Sequence, residues 1–390
     1  MARISVIRQQ VAWSPRAARE VAALAEAGHE VDYICLRGPG EPRRERRERV
    51  TVWRLGVPGR RLGGIGRYVV GYGWFFVSAA TLVSLLHVRR RYRLVQVNTL
   101  PDALVFAAAL PRLFGARVLL DLQECMPEFF ATKFDTGMRH PMVRFIAAVE
   151  QRGIRFAHRV ITPTAQLRDT FVARGGDPEK IDVVMDGSDE EIFHPIPQVR
   201  PDPDRFTLIS HGTVEERYGL DTAIAAVALL RDEIPELELK IYGTGSDVER
   251  LRRLAAESGV ADRVRFSDGF VPIDELLLAI ATAHAGIVAM KRDVFRDLTL
   301  AGKMFDFIAM GIPMAVSRTR SVMETFPADC CELFDSGEPA DLAEAIRRLY
   351  ADPDHRARLA ASATAAAEPY RWVHQRKRYL DTVDQLLSGR

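Results

Sequence analysis

Cysteine, lysine and net charge are all scarce in this chain of 390 residues. The four cysteines, Cys35, Cys125, Cys330 and Cys331, lack metal-ligand spacing, and the adjacent pair is poorly placed for an ordinary structural disulfide. A reducing compartment is therefore expected. Lysine supplies 6 of the 54 basic residues and arginine the other 48, a bias that, with abundant alanine, goes with high-GC bacterial genomes. The formal net charge of only +2, with 47% apolar and 27% charged residues, excludes a disordered or nucleic-acid-coating chain and fits a soluble globular one. The opening MARISVIRQQVAW has no apolar signal core and fits a buried first strand, so a cytoplasmic protein is expected. No internal repeat of about 20–50 residues is visible.

What is present is an alternation. Short β-rich apolar runs and longer helical patterns follow one another almost from end to end, the pattern of parallel sheets joined by crossover helices. The fold class is α/β, and the length suits two domains. In the first half the predicted strands are RISVI, VDYIC, LVQVN, RVLLD, RVITP and DVVMD. The stretch HPIPQVRPDPDR, with four prolines and no apolar period, then predicts a linker over 197–205 between domains at 1–196 and 206–370. The second set of strands is FTLIS, ELKIY, RVRF, AGIVA, PMAVS and CCELF, and residues 371–390 form a last helix expected to pack back on the first domain. Two Rossmann-like halves imply a cleft, with ligands at the carboxyl ends of the strands.

Two neighbouring segments bear on partners. Residues 37–67 hold ten arginines against three glutamates, and residues 68–88 (YVVGYGWFFVSAATLVSLLHV) hold no Lys, Arg, Asp or Glu. The apolar length could span a bilayer; Ser78, Thr81, Ser84 and two glycines argue instead for a buried or membrane-surface helix. The basic stretch suits an anionic membrane surface carrying a lipid-linked acceptor, or else is a mobile solvated loop. Without interleaved aromatic residues it does not suit nucleic acid.

Three segments of the second half carry candidate chemistry. In SHGTVEERYGLDTAIAAVALL a strand ends at His211, a turn follows at Gly212 and Thr213, and a helix begins near Asp221. Backbone N–H groups there, with Arg217, suit a phosphate; the alternative is an ordinary turn with a surface arginine. In KIYGTGSDVERL, Gly243 and Gly245 close a strand and let another backbone approach, or simply supply a tight turn. In VFRDLTLAGKMFDFIAMGIPMAVS, Asp297, Leu298 and Thr299 precede a helix on which Lys303 and Asp306 share a face. Lysine there suits a diphosphate and the carboxylate suits ribose hydroxyls; a local Lys–Asp pair is the alternative.

Taken together and in this order, the three segments resemble the donor domain of the GT-B glycosyltransferases of family 4, the retaining group 1 type. VNTLPDALVFAAALPRLFGARVLLDLQECMPEFF is similar to that family's HNMPD and DxHDxxPE patterns, and VVMDGSDEEIFHP resembles its NGVDxxxFxP. The resemblance implies a GT-B fold and transfer of a sugar from a nucleotide-diphosphate sugar to a hydroxyl acceptor, with retention and without a metal or other cofactor. The acceptor is a glycan, a lipid-linked sugar or a secondary metabolite, as in bacterial polysaccharide or natural-product biosynthesis.

On the same resemblance, Arg217 and Lys303 stabilise the leaving diphosphate. His211, Gly212, Thr213, Gly243, Gly245, Asp297, Leu298, Thr299 and Asp306 bind the donor. Gln123 and Glu124 face the donor sugar or the incoming hydroxyl. Departures are clear: Leu298 stands where many members have the first Glu of E-x7-E, and Gln123 stands where they have a histidine. Glutamine hydrogen-bonds but does not exchange protons near neutral pH. The glycine-rich loop common after the first strand is replaced by QQVAWSPRAARE, with Arg16 and Arg19 entering a helix. A sugar-nucleotide epimerase, a catalytically weak binding subunit and a membrane-bound variant of the transferase are the rival readings.

Overall fold

The computed structural model describes residues 1–11, 15–56 and 64–389, with the side chains of 64–69 outside the description. The chain forms two compact units, Met1–Met185 with Val373–Arg390, and Asp186–Trp372. The proline-rich stretch 197–205 lies within the second unit, and the last helix, Trp372–Ser388, belongs to the first.

The first unit is built on eight strands: β1 (Arg3–Val11), β2 (Glu30–Leu36), β3 (Arg44–Arg47), β4 (Val50–Leu55), β5 (Leu94–Asn98), β6 (Arg117–Asp121), β7 (Arg159–Thr162) and β8 (Ile181–Val183). Their order is β3-β4-β2-β1-β5-β6-β7-β8, parallel throughout except for β3, which runs antiparallel to β4. β5 is wholly buried and β6 nearly so, as expected of parallel strands covered on both faces by crossover helices. The helix Trp372–Ser388 seals this sheet through Tyr379, whose hydroxyl donates to Gln96 Oε1 at 2.6 Å, and Gln375, which accepts from the Met185 amide at 2.8 Å.

The basic stretch departs from expectation. Residues 57–63 lie outside the described residues, but residues 44–47 and 50–55 form a hairpin and not a mobile loop, with β4 extending the sheet beside β2. Arginine density hid it. Arg44 lies over the Trp53 ring, 4.6 Å from its centroid, and buried Arg54 reaches Glu45 at 2.7 Å and Glu41 at 3.3 Å. Long arginine stems cover apolar surface while their heads stay paired or wet, and a charged edge strand resists pairing with other chains.

The apolar stretch is one helix, Gly64–Arg90, of which Val70–Arg90 has mean hydropathy 1.4, long and apolar enough to cross a membrane. Its packing is one-sided. Phe75, Ala79, Val83 and His87, at four-residue spacing, are buried, while Val70, Trp74, Val77, Leu85 and Val88 are exposed along one narrow stripe.

The second unit holds β9 (Phe206–His211), β10 (Leu237–Tyr242), β11 (Val264–Phe266), β12 (Ala285–Val288), β13 (Met314–Ser317) and β14 (Glu332–Phe334), all parallel in the order β11-β10-β9-β12-β13-β14. The six predicted strands are the six found. Ile224, Val227 and Leu230, from the helix Leu220–Leu230, pack in one core with Leu208, Leu239, Ile287 and Ile346. Burying each such side chain contributes about 1.5–3 kcal/mol. Because the strand order reverses between β9 and β12, a crevice opens at their carboxyl ends.

Candidate donor and acceptor sites

Three loops meet at the carboxyl end of the second sheet so closely that only glycine fits. A Cβ on Gly243 would fall 1.8 Å from the Gly212 carbonyl oxygen, one on Gly245 1.8 Å from that of Val214, and one on Gly219 1.8 Å from that of Ala289. Backbone hydrogen bonds lock the arrangement: Gly212 N–H donates to Tyr242 O (2.9 Å), Val214 N–H to Thr244 O (2.9 Å) and Lys291 N–H to Arg217 O (3.0 Å). The Gly212 amide, expected to meet a phosphate, is thus spent on the last residue of β10. The helix Leu220–Leu230 starts eight residues beyond Gly212, and its first turn already holds the Asp221 carboxylate, which accepts from Lys291 Nζ at 2.8 Å.

The cations come from elsewhere in the same loops. The Tyr218 ring carries Lys303 Nζ at 5.1 Å, the Arg217 guanidinium at 5.3 Å and that of Arg296 at 5.8 Å from its centroid. Arg217 also pairs with Glu215 at 2.6 Å, and its Nε is buried without a hydrogen-bond partner. Lys303 sits in the first turn of the helix Gly302–Ala309, 3.4 Å from Ser210 Oγ. Burial pushes its pKa down to about 8, with Asp306 opposing the shift. Neither Tyr218 nor Arg296 was singled out from the sequence; their only signal was the RYG motif and a basic residue before DLT.

His211, at the end of β9, is buried between Phe193 and Phe307. Burial, then the neighbouring Lys303, lowers its pKa to about 3, so the imidazole is neutral at physiological pH. Its Nε2 is buried without a hydrogen-bond partner, 3.7 Å from Asp306 Oδ2. Asp306 Oδ1 accepts from the Ser188 hydroxyl at 2.7 Å. Asp297 stands apart from this group: Arg292 Nε reaches both of its oxygens at 2.9 Å and the Arg320 amide reaches one at 3.0 Å, so its carboxylate fastens the loop to the start of the helix Arg320–Thr325. Leu298 is buried, and the Thr299 carbonyl accepts from Ser321 Oγ at 2.7 Å. Gly212 and Thr213 are exposed at the loop tip.

Gln123 and Glu124 belong to the first unit, just beyond β6, and are half-buried. Gln123 Nε2 donates to Asp121 Oδ2 at 2.6 Å, which fixes the amide because a carboxylate only accepts. Asp121 heads a buried network missed from sequence. Arg16 donates to both of its oxygens (3.0 and 3.1 Å), Asn98 Nδ2 bridges Asp121 (2.7 Å) and Glu20 (2.8 Å), and Gln96 also donates to Glu20 (2.8 Å). Burial, then the Asp121 charge, raises Glu20 to about 7. The available signal was a polar residue closing each of two apolar strands. Among the described residues, no group of three or more His, Cys, Asp or Glu side chains could hold a metal ion.

Comparison with known proteins agrees with this architecture. Residues 13–187 match the glycosyl transferase 4-like domain and residues 194–366 match the glycosyl transferases group 1. A D-inositol 3-phosphate glycosyltransferase of Streptomyces bingchenggensis is 28% identical over 275 residues, 64% of this chain and 57% of that protein. A GDP-mannose-dependent alpha-(1-6)-phosphatidylinositol monomannoside mannosyltransferase of Mycobacterium tuberculosis is 28% identical over 205 residues, 50% of this chain and 53% of that one. The chain thus spans a little over half the length of these relatives. Sucrose-phosphate synthase from Thermosynechococcus elongatus superposes with a TM-score of 0.80 at 19% identity over 100% of both chains. Anabaena HepE, solved with UDP-glucose, gives 0.73 at 16% identity over 99% of this chain and 100% of its own. The fold is GT-B.

Proposed function

The chain belongs to the group 1 glycosyltransferases, and on that premise we propose that it moves a sugar from a nucleotide-diphosphate sugar to a hydroxyl acceptor with retention. The observation that carries this reading is the gathering of Arg217, Arg296 and Lys303 on Tyr218, beside the unpartnered Nε2 of His211. In the reaction the bond from the anomeric carbon to the diphosphate oxygen breaks and one to the acceptor oxygen forms. The nucleoside diphosphate leaves with the electron pair, and its freed oxygen takes up the proton that the acceptor hydroxyl gives up. Cations fixed where that charge develops need no reorganisation, and each well-placed donor is worth about 3 kcal/mol.

Arg217 and Lys303 meet the diphosphate, neutral His211 hydrogen-bonds the donor, and Asp306 meets the ribose. Asp297, Leu298 and Thr299 shape the loop around it, while Gly243 and Gly245, packed under the Gly212 and Val214 carbonyls, hold the exposed Gly212 and Thr213 toward the diphosphate. Gln123 offers its amide oxygen, and Glu124 a carboxylate, to the donor sugar or the incoming hydroxyl. No step is assigned to a metal, because these side chains supply the charge. The rival epimerase and binding-subunit readings gain no observation in their favour. The exposed stripe of the helix Gly64–Arg90 and the neighbouring basic hairpin suit contact with the inner face of the cell membrane, where a cytoplasmic enzyme meets a lipid-linked acceptor.

The test is a thermal-shift titration against UDP-, GDP-, ADP- and dTDP-sugars. One nucleotide class should raise the melting temperature of the wild type and not that of Lys303→Ala. Stabilisation by none of them, in a well-folded protein, would sink the donor-site assignment.

A further inference from the structure

The first unit holds a buried cation that the transfer chemistry above leaves unused. Arg8 lies near the carboxyl end of β1, level with Asn98 of β5, where the strand order of the first sheet reverses. Its side chain is 6% exposed; Nε donates to Gln10 Oε1 at 2.8 Å, and Nη1 is buried with no hydrogen-bond partner. A buried charged donor without an acceptor is costly, so it calls for a particular explanation, such as an absent ion or ligand.

The surrounding charges point to what would fill it. Arg16 and Glu20, from the helix Pro15–Glu26, are buried with Asp121 at the same end of the sheet. Asp121 is occupied by Arg16, Asn98 and Gln123, and Glu20 by Arg16, Gln96 and Asn98. Arg8 and Arg16 thus face two carboxylates: Asp121 is engaged by other groups, and Glu20, on which both arginines act, is raised to about 7 by burial and the Asp121 charge, so it offsets Arg8 only in part. Neighbours in register on parallel strands present their side chains to the same face, so Arg8 shares the face of Asn98. Asn98 and Gln123 in turn donate to the same oxygen of Asp121. The guanidinium of Arg8 thus sits on the side of the sheet end that holds Gln123, the group assigned to the acceptor.

We infer that Arg8 binds a phosphate group carried by the acceptor, through its unpartnered Nη1 at the carboxyl end of β1. This rests on the transferase reading above and narrows its acceptor class. A guanidinium binds phosphate oxygens through charge-assisted hydrogen bonds, and an uncharged acceptor would leave the nitrogen unsatisfied.

The experiment uses the full chain with its nucleotide site saturated by GDP and UDP, so that added phosphate cannot act there. Inorganic phosphate is titrated against chloride at constant ionic strength, with melting temperature as the readout. The wild type should show saturable stabilisation, and Arg8→Met should bind phosphate at least about tenfold more weakly. Arg8→Lys, which keeps the charge without the fork, should fall between them. Because Met relieves the unsatisfied Nη1 while giving up the Gln10 contact, its melting temperature without phosphate should change little, and its nucleotide-dependent shift should match the wild type. Glycerol 3-phosphate and a short-chain phosphatidylglycerol below its micelle concentration then separate a soluble from a lipid-linked source, by which of them competes in an Arg8-dependent way. Equal phosphate binding by wild type and Arg8→Met, no stabilisation beyond chloride, or competition by neither ester overturns the inference. Loss of the nucleotide shift alone would count against the transferase reading and leave the phosphate comparison readable.

Discussion

The carboxyl ends of the two sheets follow the same strand-order rule and differ in how much of their charge is paired within the protein. In the first unit, Asp121 and Glu20 are surrounded by donors from Arg16, Gln96, Asn98 and Gln123, and the network braces the strand ends from within. In the second unit, Lys303, Arg217 and Arg296 gather within 5.8 Å of the centre of one aromatic ring, Tyr218, and His211 is kept neutral by burial. Topology decides where a site forms. The side chains at that point decide whether it is braced internally or poised for an anion.

Removing the brace should have the largest effect. Asp121→Ala takes from Arg16 the carboxylate that meets two of its nitrogens, leaving it Glu20 at 3.2 Å, and strips Asn98 and Gln123 of a shared acceptor, which should cost about 3 kcal/mol in urea denaturation; a loss under about 1 kcal/mol would mean that the network does not hold the first unit together. On the other side, Arg217→Ala should lower kcat about 100-fold with the fold intact, since the guanidinium is half-exposed and its role is at the leaving group. Near-normal turnover would remove Arg217 from the mechanism.

Gly243→Ala should cost about 2 kcal/mol and weaken nucleotide binding, because φ is 148° and the new methyl meets the Gly212 carbonyl. Gly302→Ala, with open space around its Cβ, should stay within about 0.5 kcal/mol of wild type and serves as the control. Equal behaviour of the two would show that the loop contact is not tight.

The pH dependence follows from Lys303. Its pKa in the folded, unliganded protein is lowered to about 8 from an ordinary 10.5, so above pH 8 the lysine has lost its proton. A bound diphosphate favours the charged form and restores it. Affinity measured calorimetrically should therefore be flat below pH 8 and fall up to about tenfold per pH unit from there toward 10.5, with proton uptake on binding. Lys303→Arg should abolish the slope. By the same linkage the unliganded protein gains stability from this group as pH rises from 8 to 10.5, because there the unfolded chain binds the extra proton. The smallest effect on folding belongs to Leu85→Glu on the exposed stripe. It should change stability by less than about 0.5 kcal/mol yet reduce flotation with anionic vesicles; unchanged flotation would dissociate the stripe from the membrane.

Periodicity and turn residues were enough to read most of the fold. All six strands of the second unit were legible because FTLIS, ELKIY and the others are short apolar runs bounded by helices and turns. The β3–β4 hairpin was not, since arginines packed over Trp53 and paired with Glu41 and Glu45 look in sequence like a solvated run. Lys303 and Asp306 were visible by their helical spacing and His211 by its place at a strand end. Tyr218 and Arg296 were invisible, because what marks them is a distance to residues far along the chain. Asp297 was assigned to the donor, and its carboxylate proved to be occupied by Arg292 and the Arg320 amide.

By itself the sequence determined the local and ordered properties: parallel α/β architecture, two successive units, and the run of motifs that marks the family. Those depend on the spacing of residue types along the chain. Tertiary structure alone decided that Gly212 spends its amide on Tyr242, that three cations gather on one ring, and that Lys303 and His211 titrate near 8 and 3. Hydrogen-bond partners and desolvation are fixed by which atoms fold into contact, and such contacts are not local in sequence.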